Sequence, residues 1–396
     1  MKENDNDNKI KLSDNAKIGI INRGECAMRF IRGVKEYNKT FGASLKTVTF
    51  YLDSDKDAPY VKYSDYCYPL KNINMFSQIK GNVYINRPFM LKALEISGCQ
   101  GVWVGWGFLS EDSEFAAMIE KSGMVLLGPS SEAMALLGDK IKAKNLAEQS
   151  NVSICNWSKG PVKSVEEAYE IAELIGYPVI IKAANAGGGR GIRFVMNKEE
   201  LERQYISAKE ETIRITGGDL LYIEHFVKFG RHLEVQIASD RFGNVYAFGV
   251  RDCSVQRKNQ KILEETPPTD ISELTINEMQ DSAKRLIKAA KYQGVGTVEF
   301  IFDISSQKYY FMEVNTRLQV EHTVTEQLYN IDLVKIQIQI ASNIELSIPV
   351  FSPKIHVIEA RLNAEDPENN FAPAPGKVVA FNIPSGPGIR VDSGIE

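Results

Sequence analysis

Three polar side chains that could bind a metal ion lie in two neighbouring segments with strand character. Glu313 and Asn315 are two positions apart in YYFMEVN, so both side chains point to the same face of the predicted strand. Glu299 lies in the preceding apolar segment, GVGTVEFIF, and the three can converge if the two segments form a hairpin. Carboxylate and amide oxygens suit a hard cation such as Mg²⁺. The spacing therefore predicts a metal site on this hairpin.

Three further polar side chains, Arg317, Gln319 and Glu321, continue the alternation along the chain. A guanidinium group beside a carboxylate can bind a small anion and supply a base for it. The competing interpretation places such carboxylates on a solvated face or in salt bridges, and for a single glutamate it would be the better one. Three acids, an asparagine and an arginine at alternating positions of one aromatic-rich hairpin favour a site.

The composition narrows the class of protein. The chain has 396 residues, of which 43% are hydrophobic and 25% charged, as in a soluble enzyme of about two to three domains. A net charge of −4 argues against a nucleic-acid partner, and no apolar run is long enough to cross a membrane. The five cysteines are dispersed, so we expect no disulfide framework or zinc site and a reducing, cytoplasmic compartment.

The order of predicted elements indicates an α/β protein. Strand and helix patterns alternate from residue 17 to about 150, which predicts a parallel sheet covered by helices. A smaller α/β segment follows, and the chain is then strand-rich, with a clear hairpin in LEVQIASDRFGNVYAFGV and a helix at 276–292. We expect a disordered tail at 1–15, a parallel α/β domain at 16–138, a small central domain at 139–226 and a mixed-sheet domain at 227–396.

The glycine-rich segment 186–191 could close on phosphate groups. It lacks the Gly-Lys-Ser/Thr and the following helix of a P-loop, and the next residues, IRFV, predict a strand. We therefore expect a hairpin loop whose bare backbone N–H groups can approach phosphate oxygens. Lys182, on the entering strand, would supply a positive charge to the same phosphates. A surface hairpin without a ligand is the competing interpretation.

Ten segments together point to one family. In chain order they are INRGECAMR, GWGFLSED, GPSSEAMALLGDK, GYPVIIKAANAGGGRG, GRHLEVQ, RDCSVQRKNQK, GTVEFIF, EVNTRLQVEH, TE and RLNAEDP. From residue 18 to the last residue the chain resembles the biotin carboxylase component of biotin-dependent carboxylases, an ATP-grasp enzyme. The resemblance implies an ATP-grasp fold, with an N-terminal parallel α/β domain, a small α/β lid domain and a mixed-sheet C-terminal domain.

The resemblance also implies roles for individual residues. The residues implied to bind ATP are Lys140, Lys182, Gly187, Gly188, Gly189, Gly191, Glu224, His232 and Gln256, with 187–191 as a loop that folds over the phosphates. The implied metal ligands are Glu299 and Glu313, with Asn315 beside them. The implied bicarbonate site consists of Lys261, Arg317, Gln319 and Val320. The implied catalytic residues are Lys261, Arg317, the base Glu321, and Arg361, which with Trp106 would face biotin.

The implied reaction is the ATP- and bicarbonate-dependent carboxylation of biotin on a carrier protein via carboxyphosphate. This is the first half-reaction of a biotin-dependent carboxylase such as acetyl-CoA carboxylase. ATP, Mg²⁺ or Mn²⁺ and carrier-bound biotin would take part. The implied partners are a biotin carboxyl carrier protein or domain and a carboxyltransferase, and a homodimer is left open. Two alternatives also stay open: another ATP-grasp ligase of the carbamoyl-phosphate-synthesising type, and a non-catalytic, truncated scaffold.

The chain departs from the family pattern in several places, and two of these departures bear on the nucleotide site. Asn259 stands where the family usually has histidine, so contacts to the ribose of the nucleotide are in question. The chain ends at DSGIE, where the family continues with a further segment. We therefore expect the C-terminal domain to be truncated, or the chain to be a piece of a longer polypeptide.

Overall fold

The structure is a computed structural model that describes residues 11–184, 191–349 and 354–395. These residues form two compact units. The described residues of Met1–Ser110, Met118–Leu127 and Glu359–Glu396 make up the first unit, and those of Glu111–Ala117 and Gly128–Ile358 make up the second. The domain boundaries expected from the sequence stay predictions.

The described residues contain strands, α-helices and short 3₁₀ turns. The strands are β1 (Lys17–Ile20), β2 (Lys46–Tyr51), β3 (Tyr66–Pro69), β4 (Gly101–Trp103), β5 (Val125–Leu126), β6 (Val179–Ala183), β7 (Ile192–Val195), β8 (Leu221–His225), β9 (Gly230–Ser239), β10 (Val245–Arg257), β11 (Gln260–Thr266), β12 (Gly294–Asp303), β13 (Lys308–Asn315), β14 (Val357–Ala360), β15 (Glu365–Asp366) and β16 (Ala372–Pro373). The α-helices are α1 (Gly24–Phe41), α2 (Pro59–Tyr63), α3 (Arg87–Ile96), α4 (Ser113–Lys121), α5 (Ser131–Gly138), α6 (Lys140–Gln149), α7 (Val165–Ile175), α8 (Leu201–Thr216), α9 (Glu273–Ala289), α10 (His322–Tyr329) and α11 (Leu333–Ala341). None of the helices in the described part of the chain combines the length and apolar character that a membrane crossing requires.

The first unit contains the predicted parallel sheet. Its strands run in the order β3-β2-β1-β4-β5, and each neighbouring pair is parallel. A side chain at Gly19 of β1 would bring a Cβ atom within 2.2 Å of Leu94 Cδ2, so glycine allows α3 to pack closely on the sheet. The Asn86 side chain begins α3 by accepting a hydrogen bond from the Phe89 N–H at 3.1 Å. The predicted α/β fold class is therefore confirmed in this unit.

A small antiparallel sheet in the second unit carries the predicted glycine hairpin. β6 pairs with β8 on one side and with β7 on the other, where Lys182 lies opposite Ile192. The connecting residues 185–190, which include Gly187, Gly188 and Gly189, lie outside the described residues. Gly191 follows with φ of 69°, and a Cβ atom there would come within 2.8 Å of Ala183 Cβ. The exit of the hairpin thus requires glycine for two reasons.

A larger antiparallel sheet in the second unit includes the strand order β13-β12-β9-β10-β11. The hairpin predicted from LEVQIASDRFGNVYAFGV is confirmed as the β9–β10 pair. The helix predicted at 276–292 begins earlier, as α9, because the Ser272 side chain accepts a hydrogen bond from the Thr275 N–H and caps its first turn. Apolar side chains of both elements share one core, among them Leu233, Val235, Ile237, Leu286 and Ile287.

The β12–β13 hairpin ends sooner than the polar alternation predicts. β13 stops at Asn315, and Arg317 and Glu321 lie on a loop that leads into α10. The ring of His322 contacts the carbonyl oxygens of Gln319 and Val320 at 2.8 and 3.0 Å, which turns the backbone into the first turn of α10. The prediction that strand alternation continues through Arg317, Gln319 and Glu321 is therefore wrong.

Candidate active site

Glu299 and Glu313 face each other across the β12–β13 ladder. Asn315 Nδ2 donates a hydrogen bond to Glu299 Oε1 at 2.9 Å, so the three side chains converge. Glu299 is buried, whereas 34% of the Glu313 side chain is exposed. Burial raises the pKa of Glu299, but the charges of Lys261 and His232 outweigh burial and hold that pKa well below its usual range. Glu299 is thus an ionised carboxylate beside a more accessible one.

Lys261 lies at the centre of a buried cluster of carboxylates. Its Nζ atom donates hydrogen bonds to Glu321 Oε1 at 2.6 Å, Glu234 Oε2 at 2.7 Å and Glu299 Oε1 at 3.0 Å. Burial lowers the pKa of Lys261, but the three carboxylates outweigh burial and raise the pKa above its usual range. The lysine therefore stays charged and connects the predicted base to one of the predicted metal ligands.

The loop before α10 places Arg317 and Gln319 beside this cluster. Arg317 Nε donates a hydrogen bond to Glu111 Oε2 at 3.0 Å, and its Nη2 atom donates to Asn315 Oδ1 at 3.2 Å. Gln319 Nε2 donates to Glu299 Oε1 at 3.1 Å, while Val320, the next residue, is half-buried. Burial lowers the pKa of Arg317, but the charge of Glu111 outweighs burial and raises it. A charged guanidinium group thus lies next to the carboxylate and amide groups.

Two of the predicted ATP-binding lysines are paired with carboxylates. Lys140 Nζ lies 3.1 Å from Glu313 Oε2, and Lys182 Nζ donates a hydrogen bond to Glu224 Oε1. The second oxygen of Glu224 lies 2.6 Å from the Nζ atom of Lys144, a residue that the sequence analysis did not single out. Burial raises the pKa of Glu224, but Lys144 and Lys182 outweigh burial and lower it to about 2. These groups form a second charge cluster.

His232 links the predicted nucleotide residues to the metal candidates. Its Nε2 atom lies 3.1 Å from Glu299 Oε2, and its Nδ1 atom lies 3.0 Å from Gln256 Nε2. Burial lowers the pKa of His232, but the Glu299 carboxylate outweighs burial and raises it.

Asn259 lies in the turn between β10 and β11 with φ of 61°, a conformation that asparagine tolerates better than most residues.

Two residues implied to face biotin belong to the first unit. The carbonyl of Trp106 accepts a hydrogen bond from Asn22 Nδ2 at 2.8 Å, and its ring lies edge-on to Trp103 with centroids 6.3 Å apart. Arg361 directly follows β14 and is half-buried. Their assignment to biotin stays a prediction, as do the individual roles of the other site residues.

The structure adds four charged residues that the sequence analysis did not assign. Arg251 is fully buried. It donates hydrogen bonds to Glu234 Oε1 at 2.5 Å and to Gln319 Oε1 at 3.0 Å, and it thereby holds both side chains in position. Two patterns in the sequence could have identified members of this set. Polar residues alternate with apolar ones in LEVQ, within an apolar strand, and two lysines of α6 are four residues apart. The four residues are Glu111, Lys144, Glu234 and Arg251.

Three consecutive parts of the chain match known families. Residues 14–134 match the family described as biotin carboxylase, N-terminal domain. Residues 139–348 match carbamoyl-phosphate synthase L chain, ATP binding domain, and residues 359–396 match biotin carboxylase C-terminal domain. The two charge clusters all lie within the middle match, apart from Glu111.

Similar proteins cover nearly the whole chain. Biotin carboxylase 1 of Bacillus subtilis is 40% identical over 379 residues, which are 95% of this chain and 82% of that protein. The crystal structure of a biotin carboxylase–β-γ-ATP complex from Campylobacter jejuni has a TM-score of 0.88 and 38% identity, covering 96% of this chain and 83% of the other. The biotin carboxylase domain dimer of Hydrogenobacter thermophilus 2-oxoglutarate carboxylase, solved with MgADP, ADP and bicarbonate, has a TM-score of 0.86 and 37% identity, covering 95% and 81%.

The matches agree with the predicted fold and family. A relative that is 40% identical over 95% of this chain shows the family, and the matches on both sides of the ATP-binding segment name the same family. The chain therefore belongs to the biotin carboxylase family of ATP-grasp ligases.

Proposed function

We propose that this chain carboxylates biotin on a carrier protein, with consumption of ATP and bicarbonate, through carboxyphosphate. The proposal depends most on the contact of 2.6 Å between Lys261 Nζ and Glu321 Oε1. This contact places the proposed base beside a cation that also touches Glu299. The similarity to solved proteins that hold ADP, magnesium and bicarbonate supports the same reaction. ATP, Mg²⁺ or Mn²⁺ and biotin are accordingly the proposed cofactors and substrates.

Glu299 and Glu313 would hold the metal ion, with Asn315 beside them. The donor set fits a hard cation, since it consists of oxygen atoms and the low pKa of Glu299 keeps that carboxylate ionised. When bound, such an ion neutralises negative charge on a transferring phosphoryl group. Lys140, 3.1 Å from Glu313, would add a second positive charge for the phosphates.

Arg317 and Lys261 would hold bicarbonate while Glu321 takes its proton. A guanidinium group can bind a planar anion by two parallel hydrogen bonds, which an ammonium group cannot do. Glu321 is 2% exposed, so its proton transfer takes place away from bulk water. The deprotonated oxygen would then attack the terminal phosphorus of ATP, and ADP would leave with the electrons of the broken P–O bond.

The remaining nucleotide contacts would come from the small antiparallel sheet and its neighbours. The loop with Gly187, Gly188 and Gly189, which lies outside the described residues, is proposed to fold over the phosphates and keep water from carboxyphosphate. The other residues proposed to contact ATP are Lys140, Lys182, Gly191, Glu224, His232 and Gln256.

Arg361 is proposed to stabilise the ureido oxygen of deprotonated biotin, with Trp106 nearby on the substrate. A cation facing an oxygen that gains negative charge in the transition state is worth about 3–4 kcal/mol when it is removed. Carboxyphosphate would release phosphate with the electrons of its C–O bond, the phosphate would take the N1 proton of biotin, and N1 would form a bond with the carboxyl carbon.

The proposed partners follow from the reaction. Carrier-bound biotin needs a biotin carboxyl carrier protein or domain, and the carboxyl group needs a carboxyltransferase that passes it to an acceptor. A homodimer is proposed from the dimeric relative of Hydrogenobacter thermophilus. That relative is a 2-oxoglutarate carboxylase, so membership of the family does not single out acetyl-CoA as the acceptor, and a cytoplasmic location is likewise a proposal.

Omission experiments test the proposal. ADP release is measured with Mg²⁺, bicarbonate and free biotin, each left out in turn, and we expect turnover to need Mg²⁺ and bicarbonate together and to rise with biotin. Turnover that depends on ammonia or glutamine and ignores biotin would instead favour a carbamoyl-phosphate-synthesising ligase. Absence of nucleotide binding by the folded protein would favour a non-catalytic scaffold.

A further inference from the structure

Lys144 is a lysine that the protein buries almost completely. Its side chain is 1% exposed, and its Nζ atom lies 2.6 Å from Glu224 Oε2. The same atom lies 5.8 Å from the ring centroid of Trp157 and 5.9 Å from that of Tyr222. Because burial of an ammonium group is costly unless it is paired, these contacts mark a position that the fold holds specifically.

Glu224 divides its carboxylate between two lysines. Oε1 accepts a hydrogen bond from Lys182 Nζ, and Oε2 is paired with Lys144. Two cations and one anion give this triad a net charge of +1. If Lys144 were absent, Glu224 and Lys182 would form a neutral pair, and the positive charge at this place would be lost.

Helix α6 sets the position of Lys144 relative to the metal candidates. Lys140 and Lys144 are four residues apart on α6, so they lie one turn apart on the same helical face. Lys140 reaches Glu313 on β13, while Lys144 reaches Glu224 on β8. A single helix thus contacts carboxylates of both antiparallel sheets in the second unit.

We propose that Lys144 is a positioning residue for nucleotide binding, which acts through Glu224 on Lys182. By neutralising Glu224 from the buried side, it leaves the positive charge of Lys182 available to the anionic part of the nucleotide. The inference rests on the proposed function, since it needs a nucleotide at this cluster. It adds to that function a residue that favours the binding of phosphate-bearing nucleotides over the uncharged nucleoside.

The charge of the ligand separates this role from a purely structural one. A buried salt bridge that served only stability would change unfolding, and the folded fraction would bind ATP, ADP and adenosine with unchanged relative affinities. A positioning role predicts a loss that is larger for ATP and ADP than for adenosine, which has no phosphate. The ratio of ATP affinity to adenosine affinity is therefore the quantity to measure.

The test compares four proteins by isothermal titration calorimetry with MgATP, MgADP and adenosine. They are the wild-type chain, Lys144→Met, the double variant Lys144→Met/Glu224→Gln, and Lys142→Met as a control on the same helix, where the Lys142 side chain is 63% exposed. We expect Lys144→Met to lower the ATP-to-adenosine affinity ratio by roughly tenfold, the effect of about 1.4 kcal/mol. The double variant restores a net charge of +1 and should regain most of the ratio, whereas Lys142→Met should match the wild type.

Each outcome decides one point. An unchanged ratio in folded Lys144→Met would overturn the inference while leaving the proposed function in place. If Lys144→Met does not fold, the double variant decides, because it removes both members of the buried pair and leaves only Lys182, whose side chain is 14% exposed, without its carboxylate partner. A double variant that folds but binds ATP no better than it binds adenosine would equally overturn the inference. Failure of the wild-type chain to bind MgATP would refute the proposed function itself.

Discussion

The Nζ atom of Lys261 lies 2.6 Å from Glu321 Oε1 and 3.0 Å from Glu299 Oε1, so one ammonium group joins the proposed base to a proposed metal ligand. A base that is hydrogen-bonded to a buried cation is held in a fixed position. When the base gains a proton, Lys261 keeps its two other carboxylate partners, Glu299 and Glu234. Proton transfer to Glu321 therefore does not leave the lysine unpaired.

Replacement of the proposed base should stop turnover and spare nucleotide binding. Glu321→Gln removes a proton acceptor without touching the lysines that pair with Glu313 and Glu224, so we expect kcat to fall by about 10²–10⁴-fold. The Kd for MgATP should stay within about threefold of the wild-type value. Glu278→Gln, an exposed position on α9, is the matched control. Turnover close to wild type in Glu321→Gln would refute the assignment of the base.

Replacement of Lys261 should destabilise the protein in a way that depends on pH. Lys261→Met leaves Glu234, Glu299 and Glu321 without their shared cation, which typically costs about 3–5 kcal/mol of the free energy of unfolding. The depressed pKa of Glu299 contributes stability that is present above the unfolded pKa of about 4.3 and is lost as the pH falls. The deficit of the variant should therefore be largest at pH 7 and smaller at pH 4.

Urea denaturation at several pH values measures this difference. Lys288→Met, an exposed lysine on α9, serves as the control and should show no deficit at either pH. A deficit in Lys261→Met that stays the same between pH 7 and pH 4 would show that Lys261 does not act through ionised carboxylates.

Replacement of Arg361 should separate the two halves of the proposed reaction. Arg361→Ala should slow the carboxylation of biotin by about 10²–10³-fold, the usual loss for one donor to a developing oxyanion. Slow bicarbonate-dependent hydrolysis of ATP without biotin should persist, because the residue is not proposed to touch phosphate or bicarbonate. Arg203→Ala, on α8, is the control. Unchanged biotin carboxylation in Arg361→Ala would remove this residue from the site.

Glu25, in the first turn of α1, should make the stability of the first unit fall as the pH rises. Burial raises the pKa of Glu25 to about 7, with a further increase from Asp392, while Arg29, Arg32 and Arg390 lower it. A carboxyl group with a raised pKa binds its proton more tightly when folded. Its contribution to stability is therefore fully present below about pH 4.3 and is lost as the pH rises through 7.

Glu25→Gln removes this dependence because the amide does not ionise. We expect the variant to be more stable than the wild type by about 1–3 kcal/mol at pH 8 and to match it near pH 4, as measured by urea denaturation. Glu120→Gln, an exposed position on α4, should show no such change. A wild-type protein whose stability is equal at pH 5 and pH 8 would contradict the raised pKa.

The sequence predicts those parts of the site that depend on short-range spacing. Glu313 and Asn315 lie on one strand, and a hairpin brings Glu299 opposite them, so alternation alone was enough to predict their convergence. The same rule was wrong for Arg317 and Glu321, because it could not show that the His322 ring turns the backbone into α10. Strand alternation predicts side-chain directions only for residues that lie within the strand.

Spacing can single out Glu234 on its strand and Lys144 on its helix, but it does not show which distant residues they contact. Arg251 and Glu234 are buried in an antiparallel pair whose register depends on the whole sheet. Lys144 meets Glu224 across two elements that are about eighty residues apart in the sequence, and its burial becomes visible only when Trp157 and Tyr222 cover it. Such contacts are decided by packing and not by residue type.

Because β13 ends at Asn315, some site residues are held within the sheet and others lie on a loop. Glu299 lies on β12, which is hydrogen-bonded to β9 on one side and to β13 on the other. Arg317 and Glu321 lie on a short loop outside this ladder. Mutations in that loop can therefore change how the anion and the proton are bound while the backbone positions of Glu299 and Glu313 stay fixed by the ladder, although the loop side chains Arg317 and Gln319 also touch Asn315 and Glu299. A protein engineer or natural selection could in this way exchange the nucleophile that receives the phosphoryl group and retain the nucleotide machinery unaltered.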